Sequence, residues 1–303
     1  MNHENAPDIA APVIAIDTGS ASDVGCVRKV NEDSVLFSQD KGIWLLADGM
    51  GGHQGGDVAS QVAVTHSLYG LTNKLSPKDA INDSHQQIRR MAETEEGFTG
   101  MGSTIVVALL QGRMLNIAWV GDSRAYRVRG HDSQATLEQL TKDHSYVQML
   151  FDQGKITRHE MQKHPQKHVI TQCLGSTEME SIQVSEKQFS FDENDRILLC
   201  SDGLYDSVDE AFIEKTVASS KGSQEIADTL LSKALENGAS DNVSVLILIH
   251  KGPADDPATV VRSVKKAKLS TARSGPSNED RNAVDVTDKS KKLFSRLFGK
   301  AKP

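Results

Sequence analysis

The sequence predicts an α+β domain built in layers, with largely antiparallel sheets and helices packed outside them. Three observations carry this expectation. Short apolar runs of strand character recur through the first 250 residues, several stretches repeat apolar residues at helical spacing, and the two kinds of segment do not alternate. The order is strands, two helices, several strands, an irregular stretch, a strand, a helix pair and a last strand. Grouped strands of this kind favour antiparallel sheets over a parallel one.

Each element has its own justification. "IWLLAD" (43–48) is a short apolar run bounded by turn residues. "STIVVALL" (103–110) and "LNIAWVGD" (115–122) flank a hairpin-like "QGR". "AYRVRG" (125–130) and "ATLEQL" (135–140) continue the strand pattern, and "DRILLCSD" (195–202) and "NVSVLILI" (242–249) read as buried strands. Residues 57–73 have helical apolar spacing, with Asp57 near the start, where an anion suits the helix dipole. Residues 76–94 open on Ser-Pro, a good helix start, and residues 223–238 end at Gly238, expected as the C-cap. Residues 143–178 are polar, His-rich and weakly periodic, which suggests a mobile insertion. Residues 251–288, with Pro, Ser, Asp and Lys, read as a disordered linker.

Composition bounds the function. The chain has 303 residues, 38% hydrophobic and 25% charged, ordinary for a globular protein. No apolar run approaches the roughly 20 residues of a membrane helix, and the first residues lack the order of a signal peptide. A cytoplasmic location is expected. Cys26, Cys173 and Cys200 are odd in number and widely spaced, so neither a zinc ribbon nor a disulfide framework is indicated. From Lys251 onward there are 13 Lys and Arg against 6 Asp and Glu, whereas residues 1–250 hold 21 against 35. A body with net charge -14 argues against nucleic-acid binding and suits a site rich in carboxylates.

Those carboxylates stand at strand ends. Asp48 ends "IWLLA", Asp122 ends "LNIAWVG", Asp202 ends "RILLCS", and Asp241 precedes "NVSVLILI". Three of the four adjoin glycine, and "RKVNED" (28–33) adds Arg28, Glu32 and Asp33. One Asp-Gly at a strand end is usually a turn, but here the placement recurs. Brought together in a cleft, such groups repel unless cations neutralise them. Oxygen ligation suits Mg²⁺ or Mn²⁺, and two such ions can clamp an anionic substrate and supply hydroxide at neutral pH. Other chemistry fits poorly. There is no GxxxxGK[ST]. "HEMQKH" (159–164) is one residue too long for HExxH, and Pro165 discourages a continuous helix. The same proline makes "HPQKH" (164–168) a loop, with its histidines expected in solvent. Ser123 in "GDSRA" is a poor nucleophile because a strand, not a helix, follows it.

Taken together, "RKVNEDS" (28–34), "ADGMGGHQGG" (47–56), "GSTIVVALL" (102–110), "VGDSRAYRVR" (120–129), "LTKDHS" (140–145), "ITQCLGS" (170–176), "LLCSDGLYD" (198–206) and "SDNVSVLIL" (240–248) resemble the metal-dependent protein phosphatase family, protein phosphatase 2C, of the bacterial type. The resemblance covers roughly residues 12–250. It implies a four-layer α-β-β-α sandwich with two central antiparallel sheets. It also implies a serine/threonine phosphoprotein phosphatase that holds two core Mn²⁺ or Mg²⁺ ions and a third. Asp48 would bridge two ions, with Asp202 and Asp241 on the first. Glu32 and the carbonyl of Gly49 would serve the second, and Asp122 with Asp202 the third. Arg28 would bind the substrate phosphate, and Asp33 would be a neighbouring acidic residue of the catalytic group. Hydroxide would attack the phosphomonoester in line, without a covalent intermediate.

One departure stands out. Many family members carry a His after the Asp-Gly as a candidate general acid, and here that position is Met50. Metal-bound water is then the expected proton source, with His53 structural. The resemblance further implies a catalytic domain over residues 1–250, with a substrate-selecting flap at about 144–170. The partners would be phosphoserine and phosphothreonine proteins and a cognate Ser/Thr kinase pathway. The tail 289–303 places Leu293, Phe294, Leu297 and Phe298 on one helical face among basic residues. That face suits docking on an anionic membrane or a partner protein, and so a peripheral position at the membrane. The alternatives are a pseudo-phosphatase acting as a regulatory binder, and a phosphatase of another phosphoester.

Overall fold

The computed structural model describes residues 14–51, 55–94, 98–130 and 135–253. The elements in chain order are β1 (Ile14–Asp23), β2 (Asp33–Ser38), a single 3-10 turn, β3 (Ile43–Met50), α1 (Gly56–Thr72), α2 (Pro77–Thr94), β4 (Gly102–Ser103), β5 (Ile105–Gln111), β6 (Met114–Val120) and β7 (Arg124–Arg129). They continue with β8 (Thr136–Gln139), α3 (Tyr146–Asp152), α4 (Arg158–Lys163), β9 (Ser185–Ser190), β10 (Arg196–Cys200), α5 (Asp202–Ser207), α6 (Glu210–Ala218), α7 (Ser223–Glu236) and β11 (Val243–Pro253).

Two antiparallel sheets form, in the orders β1-β11-β10-β7-β8 and β2-β3-β5-β6-β9, with β4 paired to β3. The side-chain period of two explains why both can be buried. In β3, Ile43, Leu45 and Ala47 join a core with Ala59, Val62 and Ile88 of α1 and α2. Trp44 and Leu46 point the other way, into a core shared with Ile197, Leu199, Leu246 and Leu248 of the second sheet. In β10 and β11, Leu198, Cys200, Val245 and Ile247 face Ile213, Val217, Ile226 and Leu230 of α6 and α7. Three apolar cores between four layers make the α-β-β-α sandwich. They also explain why the central strands read as unbroken apolar runs.

Three expectations change. β1, β9 and the edge strand β2 were not expected as strands. β1 and β9 are sheet edges as well, and their sequences "IAIDTGSASD" and "SEKQFS" carry little apolar signal. The stretch 143–178 is more built than its composition implied. It contains α3 and α4, and Thr157 and Glu160 form a reciprocal capping box at the start of α4. As expected from Pro165, α4 stops at Lys163. Helix α7 ends at Glu236 with Asn237 as its C-cap, and Gly238 follows one residue later at φ 78°. His53, most of the linker and the tail lie outside the described residues. No helix among the described residues is long and apolar enough to cross a membrane.

Candidate active site

Asp48 occupies the last part of β3, on the face that Trp44 and Leu46 turn toward the other sheet. Its main chain is pinned on both sides. Its N–H donates to Thr104 Oγ1 at 3.0 Å, and its carbonyl accepts from Thr104 N at 2.8 Å and Ser103 Oγ at 3.0 Å. Asp33 lies directly opposite it in the β2–β3 ladder. Side chains paired this way have Cβ atoms about 5 Å apart, and like charges there are destabilising. Gly49 follows, with its N–H on the Glu32 carbonyl at 3.1 Å. A Cβ at Gly49 would meet Gly56 O at 2.0 Å and Glu32 O at 2.6 Å, so no other residue fits this approach.

The remaining expected residues converge on the same point from other elements. Asp202 opens α5, just past the end of β10, and Asp122 follows Gly121 at the end of β6. Asp241 precedes β11 and accepts from its neighbour's Asn242 N at 2.8 Å. Arg28 Nη2 donates to Asp241 Oδ2 at 2.7 Å. Arg28, Glu32, Asp48, Gly49, Asp122, Asp202 and Asp241 all line one open cleft of 1190 Å³, and Asp33 lies buried beneath it.

The electrostatics follow from burial and crowding. Burial, reinforced by Asp33, Asp202 and Asp122, pushes Asp48 well above the ordinary carboxylate range. Burial raises Asp33 to about 7, against the opposing bond from Ser201 Oγ at 2.7 Å. Burial and the Asp202 charge raise Asp122 to about 8. Glu32 rises through burial and its neighbour Asp57. Asp33 Oδ1 and Asp202 Oδ1 are buried with no hydrogen-bond partner among the described residues. Orphaned acceptors in an all-oxygen donor set fit hard divalent cations and little else.

Sequence reasoning missed several neighbours. His168, expected in solvent, stands at the mouth of the cleft with Nδ1 3.6 Å from Asp202 Oδ2 and from Asp206 Oδ2. The Asp202 carboxylate, with Asp206 beside it, holds its imidazole above its ordinary value. His168, Asp202 and Asp206 offer ligand atoms within 4.8 Å of one another. Lys167 donates to Asp206 at 2.8 Å, which ties the 144–170 stretch to α5. Asp57, read only as a helix-dipole partner, lines the cleft as well. Asn242 clamps the segment before Glu32, as described below. The only local signal for it was the "SDN" run. Met50 lines the cleft, as its sequence position implied. Ser123 is buried and hydrogen-bonded to Thr104 at 2.8 Å, consistent with a structural role.

Comparison with known proteins agrees with this geometry. The family model "Protein phosphatase 2C" matches residues 27–237. The serine/threonine phosphatase Stp of Listeria welshimeri is 36% identical over 248 residues, 76% of this chain and 96% of its own. The crystal structure of the Mycobacterium tuberculosis serine/threonine phosphatase PstP/Ppp superposes with a TM-score of 0.70 at 34% identity, covering 79% of this chain and 100% of that one. The PstP catalytic domain has also been solved with 2 manganese ions, at 32% identity and a TM-score of 0.69.

Proposed function

Because the chain belongs to the protein phosphatase 2C family, we propose that the carboxylate cleft is the reaction centre through which it hydrolyses phosphoserine and phosphothreonine in proteins. The chain is a serine/threonine protein phosphatase, a metal-dependent hydrolase. What carries the assignment to the cleft is the gathering there of Asp48, Asp122, Asp202 and Asp241 with two orphaned carboxylate oxygens.

In this reading Asp48, Asp202 and Asp241 would hold one ion, and Asp48, Glu32 and the Gly49 carbonyl would hold a second. Asp122 with Asp202 suits a third. Mn²⁺ and Mg²⁺ both match the donors, and the manganese-bound relative favours Mn²⁺. Divalent ions there supply hydroxide at neutral pH and offset phosphoryl charge. The protein's own part is positioning. Thr104 holds the main chain of Asp48, and Ser201 holds the buried Asp33 that lies opposite it. Asp241 holds Arg28 at the rim, and the guanidinium fork suits phosphate oxygens. Met50 has no proton to give, so the leaving oxygen takes its proton from water. Residues 144–170 act as the flap of the cleft, tied down by Lys167. A Ser/Thr kinase pathway supplies the phosphoproteins.

The test is hydrolysis of a phosphothreonine peptide and an aryl phosphate by Mn²⁺-loaded protein, with and without chelator, for wild type and Asp202→Asn. Chelation and Asp202→Asn should each abolish both activities. Hydrolysis that survives both would place the chemistry elsewhere.

A further inference from the structure

We propose that residues 24–32 form a rigid docking lip that selects phosphoprotein segments with an apolar side chain beside the phosphorylated residue. The proposal rests on the reading of the cleft as the phosphatase centre, and it concerns what lies around the phosphate rather than the phosphate itself.

The segment connects β1 to β2, so it crosses from one sheet to the other at the rim of the cleft. On it, Val27 is 68% exposed and Val30 55%, more than any other large apolar side chain among the described residues. Isolated exposed valines are ordinary. These two bracket Arg28 in the chain, and both line the same cleft as Arg28 and Asp48.

The lip is held in this form. The buried Asn242 donates through Nδ2 to Val24 O at 2.9 Å and Val30 O at 3.0 Å, and accepts from Glu32 N at 2.8 Å. Cys26 N donates to Ala239 O at 2.8 Å. Gly25 sits at φ 78°, and a Cβ there would meet Asp241 O at 2.1 Å. Every anchor lies on the main chain or on a side chain pointing inward, which leaves Val27 and Val30 outward without mobility to relieve them. A preorganised apolar surface of this kind loses little conformational freedom on binding.

The occupant follows from position. With the phosphate at Arg28, the residues one and two places away in an extended segment lie about 3–7 Å along the chain. That spacing carries them over the lip on one side and the flap on the other. The flap side is apolar too. Ile170 lines the cleft, and Val169 beside it is 46% exposed. A cleft of 1190 Å³ has room for these flanking side chains as well as the phosphorylated one. Lys29 is exposed between the two valines and has no carboxylate within ion-pair distance among the described residues.

The experiment uses the full chain loaded with Mn²⁺, phosphothreonine peptides of one length with Leu or Ser on either side of the phosphoresidue, and an aryl phosphate. Wild type should favour the Leu-flanked peptide about tenfold in kcat/KM, mainly through KM, the scale of one apolar contact in a specificity pocket. The double variant Val27→Ser/Val30→Ser should lower that ratio at least threefold, leaving the share that the flap supplies, with aryl phosphate turnover little changed and the melting temperature preserved. No preference in wild type, or a preference undiminished in the double variant, overturns the lip. Failure of wild type to hydrolyse any of the three substrates overturns the reading of the cleft, and the lip with it.

Discussion

The two ends of β10 keep buried charge in opposite ways. Before the strand, Asp195 is matched. It accepts from Arg127 and from Asp192 N at 2.8 Å, and Arg127 also donates to Ser190 O at 3.0 Å and lies over the Phe189 ring. After the strand, Asp202 has a buried oxygen with no hydrogen-bond partner among the described residues and shares its cleft with Asp48, Asp122 and Asp241, with Arg28 on Asp241 and the exposed His168 beside Asp202 as partial counter-charges. A nearby control is Arg124, which grips Asp143 through Nε and Nη2 at 2.7–3.1 Å while stacking on Tyr205. This protein can pair buried acids with arginine. At one end it leaves them in excess over their cationic partners, which costs stability unless something cationic binds. The difference separates charge that holds the fold from charge that awaits a ligand.

Substitution at the two ends should give opposite outcomes. Asp48→Asn should lower metal-dependent phosphopeptide hydrolysis about a thousandfold or more, the loss expected when several kcal/mol of metal-derived stabilisation goes. The metal-free variant should melt no lower than wild type, because a repelling charge has been removed. Asp195→Ala should do the reverse. Leaving buried Arg127 with only the exposed Asp192 at 3.6 Å as counter-charge should cost up to about 3–5 kcal/mol, with Mn²⁺ affinity unchanged in calorimetry. Equal melting losses at both ends would break the comparison.

A smaller effect is expected from Thr104→Val. It strips Asp48 N–H of its acceptor and Ser123 of its partner. Mn²⁺ affinity should fall about 10–100-fold, as when a group that orients a ligand is removed, and unfolding should show a cost of about 1–3 kcal/mol.

The pH dependence sharpens the contrast. An acid whose pKa is raised in the folded state holds its proton longer there than in the unfolded chain. Its destabilising effect is therefore absent below about pH 4, the unfolded value. It grows as the pH rises from there toward the folded values, about 7 for Asp33 and about 8 for Asp122, and levels off above them. Metal-free protein should lose melting temperature steadily from pH 5 to pH 8, and Mn²⁺-loaded protein should show a flatter profile. Parallel profiles would mean that the carboxylates are balanced without metal. The smallest effect should come from Lys167→Ala, since its partly exposed pair with Asp206 is worth less than about 1 kcal/mol in thermal unfolding.

Much of this was legible in the sequence, for physical reasons that also mark where legibility stopped. The central strands β3, β5, β10 and β11 bury both faces, so their apolar runs stand out, and Asp48, Asp122, Asp202 and Asp241 are visible as the carboxylates that end or precede a run. The edge strands β1 and β9 bury less and left almost no pattern. Long-range pairs left none. Lys167 and Asp206 are 39 residues apart, and Asn242 reaches Val24 and Val30 across more than 200. Neither pairing has a local signature. His168 looked like a solvated loop histidine because Pro165 identified the loop correctly, while the destination of that loop depended on the fold.

The central claim is that the unmatched carboxylates are a cation site. Calorimetric titration of Mn²⁺ into metal-free protein at pH 7 tests it most directly. Wild type should take up at least two ions and release protons from the raised carboxylates, and Asp48→Asn should lose that uptake. Identical stoichiometry and affinity in the two proteins would contradict the account.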